Sequence, residues 1–250
     1  MSGGPSAGRA ASGAAVPVGP FFVYHSIMKR MPYTGNAMAS TPDMTSIVYV
    51  VDDDETLRRA LSSLLRSAGW RVETFASSQA FLAFERPAVP SCLILDVRLA
   101  DESGLALQEE VVRAGLNVPI LFMTGYGDVA TTVKAMKGGA LDFLTKPFDD
   151  ETMLDAVGRA LARDGERLAR DRALDAVRGA YASLTPRERE VMSQVVAGLM
   201  NKQIAANLGL QEITVKVHRA QVMKKMQVRT LPDLVRQAEA LGVGPAGARD

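Results

Sequence analysis

The chain has 250 residues, 47% hydrophobic and 23% charged, a balance of soluble globular protein that fits one large domain or two ordinary ones. Its longest apolar runs, such as 47–51 and 92–95, are strand-sized and far too short to span a bilayer. A single cysteine, Cys92, excludes an internal disulfide, reads as a small core residue and fits a cytoplasmic protein.

The net charge of +1 hides a division. Residues 1–44 carry 3 basic and 1 acidic side chains, 45–164 carry 12 and 18, and 165–250 carry 14 and 9. An acidic stretch followed by a basic one suggests two domains, the second facing a polyanion. Residues 1–44 are rich in Gly, Ala, Ser and Pro, with one apolar patch at 21–24 that is shorter than a secretory apolar region. This segment reads as a disordered extension, or as the product of a start codon placed too early, with Met44 as the alternative start.

From Thr45 the pattern is regular. Apolar runs at 46–51, 70–75, 91–96, 119–123 and 141–145 predict strands. Between them, amphipathic stretches at about 55–68, 77–85, 104–114 and 128–138, and a fifth from about 150, predict helices. Strands alternating with helices imply parallel βαβ units, hence a doubly wound α/β domain of five strands. The fifth helix continues through Glu166 and Ala180 as a polar, Ala-rich connector. After it the strands stop. Thr185, Pro186 and Glu188 make a capping box that starts a helix, and Gly198 ends it. Asn201 is expected to cap a short helix, 202–208, which Gly209 ends; a longer one runs over 212–226, and Pro232 opens a fourth. The domains are therefore 1–44, an extension; 45–164, α/β; 165–181, a helical linker; 182–243, a small four-helix unit; and 244–250, a tail.

In an open parallel sheet, sites form at the carboxyl ends of the strands. The first strand ends in Asp52, Asp53 and Asp54, the third in Asp96, the fourth in Thr124 and Gly125, and the fifth in Phe143, Lys146 and Pro147. Three carboxylates at one sheet edge repel one another and need a cation to stay ionised. A hard, oxygen-seeking ion such as Mg²⁺ meets that need with one or two carboxylates, a carbonyl and phosphoryl oxygens. An Asp carboxylate can itself accept a phosphoryl group. Charge then assigns the roles. Asp52 and Asp53 hold the metal and Asp96 attacks phosphorus. Lys146 neutralises the phosphoryl oxygens and the Thr124 hydroxyl hydrogen-bonds them.

With VVDDDE, LILDVRLADESG, FMTGYGD and DFLTKPF in place, residues 46–164 resemble the receiver domain of two-component response regulators. The resemblance implies a flavodoxin-like strand order, 2-1-3-4-5, and Asp96 as acceptor of phosphate from a sensor histidine kinase. It implies Mg²⁺ or Mn²⁺ on Asp52, Asp53, Asp96 and the Arg98 carbonyl, and a cis peptide at Lys146-Pro147. It implies that Phe143, by packing alone an ordinary core residue, changes rotamer as Thr124 moves toward phosphate. This sequence has Ala100 where the family usually has proline, which bears on phosphorylation rate and phosphate lifetime.

In the C-terminal part, a short helix, a turn at Gly209 and a longer helix are the layout of a helix-turn-helix. Val215, Val222 and Met226 make an inward stripe, while Ile213, Lys216, Val217, Ala220 and Lys224 share another face. That face suits a major groove, with Lys216 on a guanine edge and Val217 or Ala220 against a thymine methyl. Lys202, Arg219, Lys224 and Lys225 are candidate phosphate contacts, as is Asn201 at a helix start. Thr214 completes the expected DNA-contacting set. LTPRERE, AGLMNKQIAANLGL and TVKVHRAQVMKKM resemble the LuxR-type helix-turn-helix, and 46–243 as a whole resembles the FixJ/NarL class. Gln211 stands where the family usually has a capping Ser, and Ile213 where a polar residue is common.

The expected function is thus a phosphorylation-dependent DNA-binding transcription regulator, not an enzyme. Its expected partners are a sensor histidine kinase, double-stranded promoter DNA and a second copy through the fourth helix and fifth strand, with RNA polymerase as a further candidate and no membrane contact. Two rivals stand. A magnesium-dependent phosphohydrolase would use the same carboxylates but needs a positioned general acid or base, and the histidines are only His25 and His218. A constitutive DNA-binding protein with a vestigial receiver would not need the aspartates and Lys146.

Overall fold

A computed structural model describes residues 46–100, 102–125 and 129–243. The extension at 1–44, the tail at 244–250, and residues 101 and 126–128 of the quoted motifs lie outside the described residues. Five strands form one sheet: β1 (Ile47–Val51), β2 (Arg71–Phe75), β3 (Ser91–Asp96), β4 (Ile120–Thr124) and β5 (Asp142–Thr145). All pairs are parallel and the order is β2-β1-β3-β4-β5, as the resemblance implies. Every residue of β1 and β4 is buried, so both faces of the central sheet are covered.

The helices that cover it are α1 (Glu55–Ser67), α2 (Ser78–Ala83), α3 (Gly104–Arg113), α4 (Val129–Lys137) and α5 (Asp150–Ala182). Alternation along the strands sorts the core into two layers. Val48, Val50, Ile94, Leu121 and Met123 meet Leu61 and Leu65 of α1 and Met153, Val157 and Leu161 of α5. Tyr49, Val51, Leu93, Leu95 and Phe122 meet Phe81 of α2, Leu107 and Val111 of α3 and Ala135 of α4. Cys92 is a fully buried free thiol whose pKa burial pushes up, which suits the core reading.

The predicted helices are right in kind; those of the α/β part are at most a few residues too long, while 202–208 is one residue short of the observed helix. The largest excess is in α2, predicted as 77–85. There Phe84 is already extended, with Ser77 as the N-cap accepting the Ala80 amide.

Helix α5 is a single helix of 33 residues. Its first half is buried on the sheet, and no residue of it beyond Asp164 is buried. Asp164 is 1% exposed. Its carboxylate accepts the Ser91 amide at 2.9 Å and pairs with Arg167 at 2.8 Å. Arg167 also meets Asp171, and Arg172 donates to the Ala88 carbonyl at 2.7 Å. These bonds fasten the helix to the amino-terminal end of β3 just where it leaves the sheet.

The C-terminal helices are α6 (Pro186–Val196), α7 (Asn201–Leu208), α8 (Glu212–Lys225) and α9 (Leu231–Ala240). They close a core of Leu184, Val191, Met192, Val195, Ile204, Val215, Val222, Met226 and Leu234. The capping box forms as expected, Thr185 accepting the Glu188 amide and Glu188 the Thr185 amide. Gly209 closes α7 at φ 63°, a left-handed turn that glycine adopts without cost. The expectation that Asn201 caps α7 is corrected: Met200 is the N-cap and Asn201 the first helical residue. The Gln203 side chain returns to the Met200 amide at 2.8 Å, which satisfies the helix entry and frees Asn201 for another bond.

Where β3 passes into α3 the backbones approach closely, and a Cβ on Gly104 would stand 2.1 Å from the Asp96 carbonyl oxygen. Gly104→Ala is therefore expected to destabilise the α/β domain by about 3 kcal/mol, the upper part of the overpacking range. Urea unfolding of the variant beside the wild type checks it; an unchanged midpoint would show that this loop yields freely.

Candidate functional site

Four adjacent strand ends converge as the sheet rule requires. Asp52 follows β1, Asp96 ends β3, Thr124 ends β4 and Lys146 follows β5. The Lys146 ammonium lies between two carboxylates, 2.6 Å from Asp96 Oδ2 and 3.3 Å from Asp52 Oδ2. The peptide into Pro147 is cis, and the Lys146 amide donates to the Thr124 carbonyl at 2.7 Å. That bond ties the residue carrying the ammonium to the end of β4.

Each acid is also held by backbone. Asp52 Oδ1 accepts the Asp54 amide at 2.8 Å, and Asp96 Oδ1 accepts the Arg98 amide at 3.1 Å. Arg58, which the sequence did not single out, donates to the Asp52 carbonyl at 2.6 Å and fixes the end of β1 from α1. Asp54 is spent on capping α1, accepting the Thr56 and Leu57 amides.

Asp52 is 1% exposed. Burial pushes its carboxyl above the ordinary carboxylate value; the Asp54 amide and the Lys146 charge pull it down, and neighbouring Asp96 pushes it up. For Lys146, burial lowers the ammonium, but the Asp96 hydrogen bond and the charges of Asp52 and Asp96 outweigh it and hold the pKa above its usual value. The lysine is therefore a fixed positive charge.

Two carboxylates within reach of one cation, the Asp52 charge disfavoured by burial, suit a hard divalent ion with water and carbonyl ligands. Asp53 stands exposed beside them. Among the described residues no group of three His, Cys, Asp or Glu side chains is close enough to bind a metal unaided. Thr124 is buried at the end of β4, and Phe143 is half-buried with its ring 6.2 Å from Phe122.

The loop from β3 to α3 carries Ala100. It is tied by an antiparallel bridge between Arg98 and Ser103, by the Leu99 amide to the Glu102 carbonyl, and by a hydrogen bond from the buried Ser78 hydroxyl to the Glu102 carboxylate. Sequence gives no signal of that last bond, whose partners are 24 residues apart.

In the C-terminal unit the inward stripe of Val215, Val222 and Met226 is buried as expected. Lys216, Ala220 and Lys224 are exposed, and Ile213 and Val217 are the large apolar side chains that α8 leaves in solvent. Thr214 and Arg219 are half-buried, and Lys202 is exposed at the start of α7. Gln211 precedes α8 without a side-chain cap bond. Arg219 donates to Asn201 Oδ1 at 3.2 Å, joining α8 to α7. Lys225, a candidate phosphate contact, is half-buried: its ammonium pairs with the nearly buried Glu188 at 2.6 Å and reaches the Ser183 carbonyl at 3.3 Å.

Residues 48–158 match the family model of the response regulator receiver domain, and residues 182–238 that of bacterial regulatory proteins of the luxR family. The chain is similar to Nodulation protein W of Bradyrhizobium diazoefficiens, 50% identical over 214 residues that cover 86% of this chain and 94% of that protein. It is similar to the transcriptional regulatory protein FixJ of Rhizobium meliloti, 42% identical over 203 residues, 80% of this chain and 98% of that one. Among solved structures, the response regulator StyR superimposes with a TM-score of 0.73 at 45% identity, covering 78% of this chain and 98% of its own.

The Glu188–Lys225 pair makes a pH prediction. The Lys225 hydrogen bond, aided by the capping-box bonds, holds the Glu188 carboxyl below its ordinary 4.5. A depressed folded pKa gives stability that is present above the unfolded value and lost as pH falls through the folded one. The C-terminal unit should therefore lose stability as pH drops below about 4.5, and Glu188→Gln should flatten that loss while lowering stability at neutral pH. Hydrogen exchange in α6 and α8 across pH 3 to 7 reads both effects; an unflattened acid limb in the variant would assign the loss to other groups.

Proposed function

The chain belongs to the response regulators of the FixJ/NarL class, which join a receiver to a LuxR-type DNA-binding domain and regulate transcription, and we propose that it is switched by phosphorylation of Asp96. The receiver is taken as 45–164, the linker as 165–181 and the DNA-binding domain as 182–243. The observation that carries the reading is Lys146 set between Asp96 and buried Asp52 at the edge of a sheet whose chain also bears an apolar and basic helix face.

A sensor histidine kinase presents a phosphohistidine. An Asp96 carboxylate oxygen attacks phosphorus, the P–N bond breaks, and its electrons return to the imidazole. Lys146, held protonated, balances negative charge on the phosphoryl oxygens. The carboxylates of Asp52, Asp53 and Asp96 and the Arg98 carbonyl would hold Mg²⁺ or Mn²⁺, which neutralises phosphoryl charge when bound. The Thr124 hydroxyl moves to the new phosphate, and Phe143 follows into the space beside Phe122. These are changes of charge and packing that bias a two-state surface.

That surface is α4 and β5. Val129, Val133 and Met136 are exposed on α4 at 67%, 45% and 45%, with spacings of four and three that place them on one face. Solvated apolar side chains in such a row support a homodimer in the phosphorylated state. Two DNA-binding domains then engage a near-palindromic promoter site, with Lys216, Val217 and Ala220 in the major groove and Lys202, Arg219 and Lys224 on phosphates. RNA polymerase would be the downstream partner. Arg219 and Asn201 meet phosphate as a pair, since they already bond each other.

Mg²⁺ and acetyl phosphate should add one phosphoryl group to the wild type and none to Asp96→Asn, and shift only the wild type from monomer to dimer. Intact mass and light scattering read both; label on the variant would move the acceptor elsewhere, and multiple turnover would favour a hydrolase. On DNA, Lys202→Ala and Lys224→Ala should each weaken binding about equally across sequences and cut the salt slope by about 1. Val217→Ala should instead change preference at one base pair by about 1–3 kcal/mol. Affinities on mutated sites at several salt concentrations separate the two behaviours, and a sequence-specific loss in the lysine variants would overturn their assignment to phosphates.

A further inference from the structure

At the other end of the sheet from Asp96 lies a cavity of about 310 Å³ that none of the roles above uses. One wall is the segment leading into β4, with Asn117, Val118 and Pro119, and the lead residue of β5, Leu141. The opposite wall is α5, with Arg163, Arg167 and Arg170. These arginines follow each other by four and three residues, so they stand on one helix face across two turns, about 10 Å.

Their bonding differs in a telling way. Arg167 is spent on Asp164 and Asp171. Asp164 is buried and already satisfied by Arg167 and the Ser91 amide, so the one acid lining the cavity offers no free charge to repel an anion. Arg163 and Arg170 are exposed, and neither has an ion-pair partner among the described residues. The cavity thus sets two guanidiniums without ion-pair partners among the described residues against a wall of half-buried Val118, Pro119 and Leu141 that also carries the Asn117 amide. Guanidinium forks recognise phosphate oxygens in pairs. An apolar wall beside them takes the flat, weakly polar part of the same ligand.

We propose that this cavity binds a small phosphorylated ligand of the nucleoside diphosphate class, its phosphates on Arg163 and Arg170 and its base against Pro119 and Leu141. The volume is at the lower end of small-ligand sites and fits one such molecule. The site is separated from Asp96 by the length of the strands, about 15 Å at 3.3 Å per residue. It is on the helix that continues into the linker, so an occupied cavity adds bonds at the point where α5 leaves the sheet.

The test uses the full-length protein and calorimetric titration with ADP and with pyrophosphate, in EDTA so that no divalent ion carries phosphate to the Asp96 edge. ADP should fill one site per chain and bind more tightly than pyrophosphate. Arg163→Ala/Arg170→Ala, two exposed positions, should weaken ADP by about tenfold or more through loss of charge-assisted bonds, with circular dichroism unchanged. Asp96→Asn should bind as the wild type does. No saturable binding, or equal binding by the double variant, would overturn the site. Pyrophosphate as tight as ADP would overturn the nucleoside part. A double variant that loses only affinity for nonspecific duplex DNA would assign the arginines to DNA phosphates instead and overturn the proposal.

Discussion

The site depends on one ammonium group placed between two carboxylates. Charges about 4 Å apart interact by about 4 kcal/mol at the effective dielectric of a protein surface, so two neighbouring aspartates at a dry sheet edge are costly unless something positive stands between them. Lys146 meets both, and its amide is bonded to the Thr124 carbonyl at the end of the neighbouring strand. The compensation is incomplete for Asp52, whose carboxyl burial still pushes up. A site in this condition suits the cation and phosphoryl group proposed for it. The same imbalance that costs folding energy would make the edge of the sheet responsive to the phosphorylation proposed for it.

The C-terminal unit uses its charges differently. Glu188 closes a capping box and then takes the Lys225 ammonium, so one carboxylate starts α6 and binds the end of α8 to it. Arg219 and Asn201 join α8 to α7 in the same manner. Helix α8 is thereby held to both of its neighbours by polar bonds, while its outward face keeps Ile213 and Val217 in solvent. Lone exposed apolar residues are unremarkable. A pair at the positions expected to enter the major groove fits apolar contact with thymine methyls.

The parallel sheet and its acidic edge were legible because they follow from period and position, whereas the strand order rested on the resemblance to receiver domains. Apolar runs of five or six residues, alternating with helical stripes, specify a parallel sheet, and the strand-end rule then gathers Asp52, Asp96, Thr124 and Lys146 without coordinates. What was not legible depends on partners far apart in the chain. Lys225 looks like any basic residue on a DNA-facing helix until Glu188, 37 residues earlier, is seen beneath it. Asp164 looks like one more charge in a polar helix, yet it is buried against Ser91, 73 residues away. Asn201 has the right chemistry for a cap, but the helix begins one residue earlier because Gln203 can serve the Met200 amide. Local propensity names the residues able to do a task, and tertiary contact decides which one does it.

The unbroken course of α5 gives the linker a phase as well as a length. Each residue of an α-helix advances the chain by 1.5 Å and turns it by about 100°. Half of the helix is fixed on the sheet by Met153, Val157, Leu161 and Asp164, so anything carried at its far end takes its rotational setting from that packing. One residue added between Arg172 and Ala182 would turn everything downstream by more than a quarter of a circle while hardly lengthening the connector. Seven would nearly restore the angle. Natural variation in this stretch should therefore be counted in turns, because a gap in a sequence comparison that looks trivial in length is here a change of direction.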